Sequence, residues 1–431
     1  MDIQETQTPA TGLSRFFNVP PALRYPKYRA YWLGMLASVG GFQVLMFAQG
    51  WLTYELTGSP LYLGYVSLAS ASSSIALNLF GGVFADKLDK RRLIFVTQLI
   101  TASLIFLLAF LTLFKVVQVW HIIVIAFLSG AVNAFNQPAQ QALYPHLIDR
   151  KVMMSAVALN SAIWQGTRIV SPAVAGLVIS ITGTSSAIFL AGAGFVTMAI
   201  VILALRVPRI ESRSGTNPMQ DMMEGLKFIG GSAVFSFLIG MTFFNSFFGM
   251  AYIPMMPAFA VDILKVGADG QGVLMSVGGV GALAVTLALG SIGGSSYRGL
   301  MIVGGGAAFG ISVAAFALTS EYVGWFPLAL ALMFIMGTAS STYMIAIMSS
   351  LQLLVPDNMR GRVMGFYGMT WSIMPLGAFQ AGAIAEFVGV PIAVAIGGTL
   401  VLIFALGPAM INKQVRNLGV ILQEREARAV G

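Results

Sequence analysis

The chain has 431 residues, of which 57% are hydrophobic and only 9% are charged, whereas an average soluble domain carries about 25% charged residues. This composition excludes a soluble fold, and in a membrane protein the net charge of +8 is typical of basic loops on the cytoplasmic side rather than of nucleic acid binding. With no cysteine and only two histidines, disulfides and thiolate metal sites are excluded, and we expect no metal or other cofactor.

Apolar runs of about 20 residues recur from residue 31 to residue 411, and each can cross a hydrocarbon core of about 30 Å as a helix. The runs are continuous rather than alternating, which favours helices over barrel strands. We therefore predict an all-α polytopic membrane protein with twelve spans, numbered 1 to 12. Spans 1 to 6 cover residues 30–55, 60–85, 92–114, 119–143, 152–181 and 185–205, and spans 7 to 12 cover 232–261, 270–292, 298–319, 324–353, 361–387 and 390–411.

A polar stretch, RVPRIESRSGTNPMQDMMEGLK, separates the two groups of six spans. The predicted organisation is an amino-terminal tail (1–28), a first six-helix bundle (29–205), a linker (206–231), a second bundle (232–411) and a tail (412–431). The first 28 residues contain no apolar core followed by a small-residue cleavage site, so we expect span 1 to remain as an anchor.

The Lys and Arg residues predict the orientation in the membrane. Twelve spans place both tails and the linker on one side of the membrane, and all but three of the 24 Lys and Arg residues lie on that side. The exceptions are Lys115 and Lys265, which lie in loops on the opposite side, and Arg168, which lies within span 5. The positive-inside rule then places both termini in the cytoplasm. We expect a multi-pass protein of the plasma membrane, in a bacterium the inner membrane.

The two halves resemble each other where loops re-enter helices. HLIDRKVMMSAV precedes span 5 and LVPDNMRGRVMG precedes span 11, and the overlay places Asp149 on Asp357. Such repeated halves are typical of transporters, whose binding site lies near the midplane between them.

The segment GGVFADKLDKRR, residues 81–92, joins spans 2 and 3. Its Gly82, Asp86 and following basic residues resemble the signature loop of the major facilitator superfamily, although Asp89 stands where Gly is common and Lys87 where Arg is more frequent. The ADxxDxRR form is similar to the enterobactin-exporter-like, or transmembrane secretion effector, branch. GWLTYELTGSPLYLG, AFNQPAQQALYPHLI and VALNSAIWQGTRIVSPAVAG also resemble that branch, and DNMRGRVMGFYG does so more thinly.

This resemblance implies a major facilitator fold with two pseudo-symmetric bundles that alternate in access. It also implies a gate at the cytoplasmic side, where Asp86 meets the positive amino-terminal end of span 11 and Gly82 lets the helices approach. The predicted gating residues are Gly82, Asp86, Lys87, Arg91, Arg92, Arg360 and Arg362.

Polar side chains inside the spans are candidates for a substrate cavity. Span 4 carries Asn133, Asn136, Gln137, Gln140 and Gln141 on one helical face, either as a cavity wall or as contacts between helices. Arg168 either binds an anionic group of the substrate or is a structural cation held by the span 4 carboxamides, and we favour a structural or gating role. The predicted cavity residues are Asn133, Asn136, Gln137, Trp164, Arg168 and Asn245.

Span 7 is dense in Phe and Met, which suits an adaptable apolar pocket, and Tyr252 with the prolines beyond it predicts a break. No Asp or Glu lies in the middle of a span, so the remaining candidates for proton coupling are Asp86 at an inner end and the pair Glu55 and Asp262 at the outer ends. We favour a structural role for each of them.

These patterns predict a secondary active transporter rather than an enzyme. The leading hypothesis is proton-coupled export of a small amphiphilic molecule, drug-like or siderophore-like, by a monomer in contact with membrane lipid. Uptake or flipping of a lipid-like or other small metabolite is an alternative. A membrane sensor or scaffold that transports nothing is a third hypothesis.

Overall fold

The computed structural model describes residues 20–205, 218–292, 297–420 and 422, with side chains except those of 78–87, 218–222, 290–292, 357 and 358. Helices dominate these ranges, and no strand occurs in them. Ten helices are long and apolar enough to cross a membrane. The two remaining spans are also helical, so the fold agrees with twelve crossings.

Each half contributes six spans. In the first half the helices are Pro26–Thr57, Pro60–Lys87, Lys90–Leu113, Val119–Leu143, Met153–Thr182 and Thr184–Ala204. In the second half span 7 runs over Ala233–Phe247 and Tyr252–Ala258, span 8 is Gly267–Ile292, span 9 is Arg298–Tyr322, span 10 is Phe326–Leu354, span 11 comprises Asp357–Ser372 and Met374–Val388, and span 12 is Val390–Ile411. A linker helix, Pro218–Gly230, and a short helix, Lys413–Arg416, complete the list.

Local sequence explains several of these boundaries. Gly58 ends span 1 with a φ of 61°, a left-handed conformation that glycine adopts without steric cost. Asp89, the residue that departs from the signature loop, caps span 3, because its carboxylate accepts the backbone N–H of Arg92 at 2.9 Å. The departure therefore has a local role in starting the helix.

Span 7 is irregular near its far end, as the sequence predicts. A 3-10 turn, Gly249–Ala251, interrupts the helix before Tyr252, and a π-helical turn, Phe259–Ile263, follows Pro257. Proline removes a backbone donor and clashes with the preceding turn, and π turns frequently occur at functional sites. The result places Asp262 at the tip of the span.

The two halves repeat one packing scheme. Span 2 packs on span 4, span 3 on span 6 and span 3 on span 4, and each of these pairings recurs six spans later, as 8 on 10, 9 on 12 and 9 on 10. The halves meet through span 5 with span 8 and through span 2 with span 11. This is the pseudo-symmetric, two-bundle architecture that the sequence predicts.

Because the chain crosses an even number of times, the described beginning of span 1, the described end of span 12 and the linker helix lie on one face of the protein, called the tail face below. The opposite face is the far face. Small residues close the far face, since a Cβ added at Gly176 would lie 2.3 Å from the carbonyl oxygen of Ala268, and one at Gly272 would lie 2.5 Å from that of Pro172. This seam joins span 5 to span 8.

A second seam joins span 2 to span 11. A Cβ added at Gly382 would lie 2.6 Å from the carbonyl oxygen of Pro60, and one at Gly64 would lie 2.9 Å from the Cα of Phe379. Only glycine permits such backbone approach between membrane helices. The two seams together are called the far seal.

Candidate substrate cavity

The halves separate on the tail side of the far seal. Added Cβ atoms at Gly361, Gly365 and Gly368, on the tail half of span 11, would meet no described atom within 4 Å. Met154, at the tail end of span 5, is 80% exposed. Among the described side chains, the hydrogen bonds that join the halves lie at the far face. In the part of the chain that the structure describes, the halves therefore enclose a cleft that is open at the tail face and closed at the far face.

Span 5 presents two different free faces. Thr167 contacts span 1 and Ile169 contacts span 8, and successive residues turn by about 100° around a helix. One free face is aliphatic and suits lipid; it carries Val170, Val174, Leu177 and Ile181. The opposite face carries Trp164, which is 41% exposed, and the exposed Arg168. Both residues therefore face the cleft.

Arg168 has no hydrogen bond or ion pair with any part of the chain that the structure describes. The structural role favoured from the sequence requires the span 4 carboxamides to hold its guanidinium group. They do not, because the side chain points into the cleft from span 5, and Asn136 of span 4 bonds to span 3 instead. In this structure the Arg168 side chain is exposed in the cleft, and no described carboxamide of span 4 holds it.

The polar stripe of span 4 is divided between two roles. The Asn136 side-chain oxygen accepts from the Thr97 hydroxyl at 3.1 Å and from the Gln140 amide at 3.3 Å, which ties span 4 to span 3. Asn133 and Gln137 are exposed instead, on a face away from the exposed apolar residues Trp120, Val124 and Phe127. Both sequence hypotheses therefore describe part of the stripe, and Asn136 belongs to the helix contact.

Asn245 and the methionines of span 7 do not line the cleft in this state. Asn245 is fully buried and its amide lies 4.0 Å from the Met344 sulfur. Met255 and Met256 are likewise fully buried in the core of the second half. The expected adaptable pocket is therefore packed core here.

Three tyrosines of the second half form a cluster that the sequence did not single out as a site. Tyr252 of span 7 is close enough to Arg168 for the guanidinium charge to act on its hydroxyl. Tyr343 of span 10, fully buried, interacts electrostatically with both Tyr252 and Tyr367 of span 11. The sequence could have indicated this site, because each of three apolar spans contains a tyrosine, and a tyrosine hydroxyl inside a span needs a polar partner.

The predicted gating residues fall into two groups. The side chains of Gly82, Asp86 and Lys87 lie outside the described residues. Arg91 donates to the carbonyl oxygen of Ile202 at 2.9 Å and also to that of Leu203, so it caps the carboxy-terminal end of span 6 within the first half. Arg92 is exposed. In this state Arg91 supports the bundle rather than joining the halves.

The other two gating candidates lie on span 11. Arg362 forms an ion pair with Glu224 of the linker helix at 2.6 Å, and Gly225 of that helix packs against Phe366. Arg360 is exposed at the tail end of the span. The linker segment is thus partly helical and docks on span 11 through a contact that the sequence did not indicate.

The two proton-coupling candidates at the outer ends have different partners. Glu55 accepts from the Thr184 hydroxyl at 3.1 Å, within the first half. Asp262 accepts from the hydroxyl of Tyr54, across the two halves. A second bond across the far face joins the Ser59 hydroxyl to Glu386 at 2.8 Å. Of these two residues, Asp262 is the one whose hydrogen-bond donor lies in the other half.

The sequence profile of the transmembrane secretion effector family matches residues 19–424. Macrolide efflux protein A of Streptococcus pyogenes is 26% identical over 404 residues, which cover 91% of this chain and 97% of that protein. The staphyloferrin A transporter of Staphylococcus aureus is 25% identical over 378 residues, 85% of this chain and 91% of that one. Both relatives extend over nearly the whole chain.

The fold is also similar to that of solved transporter structures. A bacterial homologue of the human lysosomal transporter Spinster, in an inward-facing and unoccupied conformation, superposes with a TM-score of 0.67 at 12% identity, covering 95% of this chain and 99% of that one. The twelve helices, the paired halves and the profile match agree. The chain belongs to the transmembrane secretion effector family of the major facilitator superfamily.

Proposed function

We propose that this transporter exports a small amphiphilic molecule across the plasma membrane, with protons as the driving ion. The observation that carries the proposal is the cleft, which is closed by the far seal, is open at the tail face, and places polar and aromatic side chains together at mid-span. With the tails in the cytoplasm, as the basic residues predict, this is an inward-open state ready to load cargo from the cell.

Export then requires the far seal to part while the tail face closes. The two seams are short-range packing contacts between whole helices, so they break together when one bundle rotates against the other. At the tail face, Asp86 lies at the end of span 2 where the amino-terminal end of span 11 can approach it. We propose that its carboxylate stabilises the closed tail face through the helix dipole.

Proton coupling is assigned to Asp262 in preference to Glu55. Its bond to Tyr54 joins the two halves across the closed far face, so we expect opening to change both its hydrogen bonding and its access to external water. Glu55 keeps its partner Thr184 within one half and has no comparable reason to respond. A carboxylate whose surroundings differ between the two states can link proton binding to the transition.

The test is transport by purified protein in liposomes with an imposed pH gradient. We expect cargo to accumulate in vesicles whose orientation mimics export, and we expect collapse of the gradient to abolish accumulation. Cargo transport that is independent of the pH gradient would contradict proton coupling. Absence of any gradient-driven or downhill movement, with candidates drawn from metabolite and drug-susceptibility profiles of a deletion strain, would contradict transport itself.

Asp86→Asn tests the tail-face gate in the same assay. The amide keeps the size of the side chain but removes the charge, which a helix dipole stabilises by up to about 2 kcal/mol in partly buried geometries such as the proposed closed tail face. We expect severe loss of export with nearly normal expression and folding, because the tail-closed state can no longer form efficiently. Asp89→Asn is the matched control, since Asn also caps helices well. Normal export by Asp86→Asn would refute the gate.

A further inference from the structure

Arg168 lacks a counter-charge that the chain can supply. It is the one cation within a span, and every Asp and Glu of the sequence lies in a tail, in a loop or near a span end. Its side chain is exposed to the cleft and makes no bond to a described residue. A charge at this depth is costly unless water or an opposite charge accompanies it. When the cleft closes around cargo, the opposite charge must therefore arrive with the cargo.

The groups around Arg168 are hydrogen-bond donors and rings. The Tyr252 hydroxyl lies within range of its charge, and a phenol can donate to an anionic oxygen. Trp164 lies one turn away on the same face of span 5, where it meets Phe42 edge-to-face with ring centroids 6.4 Å apart. The site thus combines a planar cation, an O–H donor and an aromatic wall.

We propose that Arg168 binds an anionic oxygen group, of the carboxylate class, on a cargo whose body is apolar or aromatic. Arginine suits this task because its guanidinium group can hold both oxygens of a carboxylate at once. The ring of the cargo packs against Trp164 and Phe42, and Tyr252 donates a second bond from the other half of the protein. This assignment of cargo chemistry rests on the proposed function.

The placement also explains how binding favours the transition. Arg168 belongs to the first half and Tyr252 to the second, so one anionic group can be bound by both bundles simultaneously. A ligand shifts an equilibrium only by its difference in affinity for the two states. An anion held from both sides binds most strongly when the halves close around it, and it also neutralises the charge that closure would otherwise desolvate.

Binding of three probes that share one ring system and differ in charge tests the proposal. The probes are 2-naphthoate, its methyl ester and 2-naphthylmethylammonium, titrated by calorimetry into the full chain in phosphatidylcholine nanodiscs. We expect wild-type protein to prefer naphthoate. Arg168→Gln should weaken naphthoate binding at least tenfold and leave ester binding within twofold. Arg168→Lys should retain most of the preference for naphthoate over the ester. Tyr252→Phe should weaken naphthoate binding about threefold.

Arg150→Gln is the matched control, because it removes the same charge from an exposed position at the tail end of span 5, several helical turns from Arg168, and should leave all affinities unchanged. Monodisperse elution and an unchanged melting temperature establish that each variant folds. A wild-type preference for the ester or the ammonium probe, binding of none of the three, or unchanged naphthoate binding in folded Arg168→Gln would each overturn the proposal. If one of these contrary binding results is found together with gradient-driven export, the anion site is refuted and the proposed function is retained. If naphthoate binds as expected but no transport is found, the proposed function is refuted and the anion site is retained.

A lipid headgroup could offer the same anionic oxygens to Arg168. Repeating the titrations with phosphatidylglycerol in the nanodiscs separates the two sources. Unchanged naphthoate affinity assigns the site to soluble amphiphiles, whereas a loss of affinity in wild type that is absent in Arg168→Gln assigns it to lipid. Either result supports an anion site at Arg168.

Discussion

The far and tail faces of the interface between the halves use different physical interactions. At the far face, backbone packs on backbone at Gly176 and Gly272, and two hydrogen bonds lie beside the seams. At the tail face, two of the described arginines bond to groups other than the opposite half: Arg91 to span 6 and Arg362 to the linker helix. The closed face therefore depends on shape, whereas the described contacts of these two arginines are polar.

This difference has an energetic consequence. Packing between helices falls away within a few tenths of an ångström of separation, so the far seal is either formed or broken. Exposed ion pairs contribute little each and are screened by salt, so the tail face can exchange partners without a large barrier. In the proposed mechanism, the far face would open in an all-or-none manner, whereas the tail face would close through ion pairs that exchange one at a time.

Among the variants that test this contrast between the two faces, Gly176→Val is expected to have the largest effect, because it disrupts the packing of the far seal. The valine Cβ would lie 2.3 Å from a backbone oxygen of span 8, and backbone cannot move aside as a flexible side chain can. We expect export to fall at least tenfold and the far face to stay open. Spin labels at Ser180→Cys and Asp269→Cys, introduced into a chain without native cysteine, should report a longer distance across the seam.

Gly166→Val is the control in the same helix, because a Cβ there meets no described atom within 4 Å. It carries the same change in helix propensity and should retain export within about twofold. Equal damage in the two variants would mean that the helix, and not the seam, is the sensitive element.

Tyr54→Phe should have an intermediate effect. It removes the donor to Asp262 and leaves the ring in place. Asp262 is exposed, so the bond is worth about 1 kcal/mol rather than the larger values of buried charged bonds. We expect about a fivefold shift toward the far-open state, measured by the same spin-label pair. No shift would show that the glycine seams alone hold the far face closed.

Ser59→Ala should have the smallest effect. Its hydroxyl donates to Glu386 at 2.8 Å in an exposed position, where such bonds contribute about 0.5 kcal/mol or less. We expect a shift of twofold at most in the spin-label distances and unchanged export. A larger change than that of Tyr54→Phe would reverse the ranking and identify the seam between spans 2 and 11 as the dominant one.

Sequence predicts most of the spans well because hydrophobic length is their main signal. The predicted span 4, 119–143, coincides with Val119–Leu143, and span 12 likewise with Val390–Ile411. The linker helix was missed because its first turns are polar and it forms by docking on span 11 through the Glu224 pair with Arg362. Hydropathy does not register such a contact.

The cavity was less predictable from the sequence. Which polar side chain faces the cleft depends on helix rotation and on the conformational state, and neither is encoded in composition. Asn136 and Gln137 are adjacent in sequence, yet one bonds to Thr97 and the other is exposed. Asn245 has the same chemistry but is fully buried. Tyr54 and Asp262 pair over a separation of 208 residues, which no local pattern indicates.

The glycine seams bear on how this protein can diversify. Their closest contacts are with main-chain atoms of the facing helix, whereas the proposed recognition of cargo uses Arg168, Trp164 and Tyr252, which take no part in the seams. Mutations can therefore alter what is recognised while the moving parts stay constant. A laboratory selection for new resistance should accumulate substitutions along spans 4, 5 and 7 within the cleft and leave Gly64, Gly176, Gly272 and Gly382 untouched.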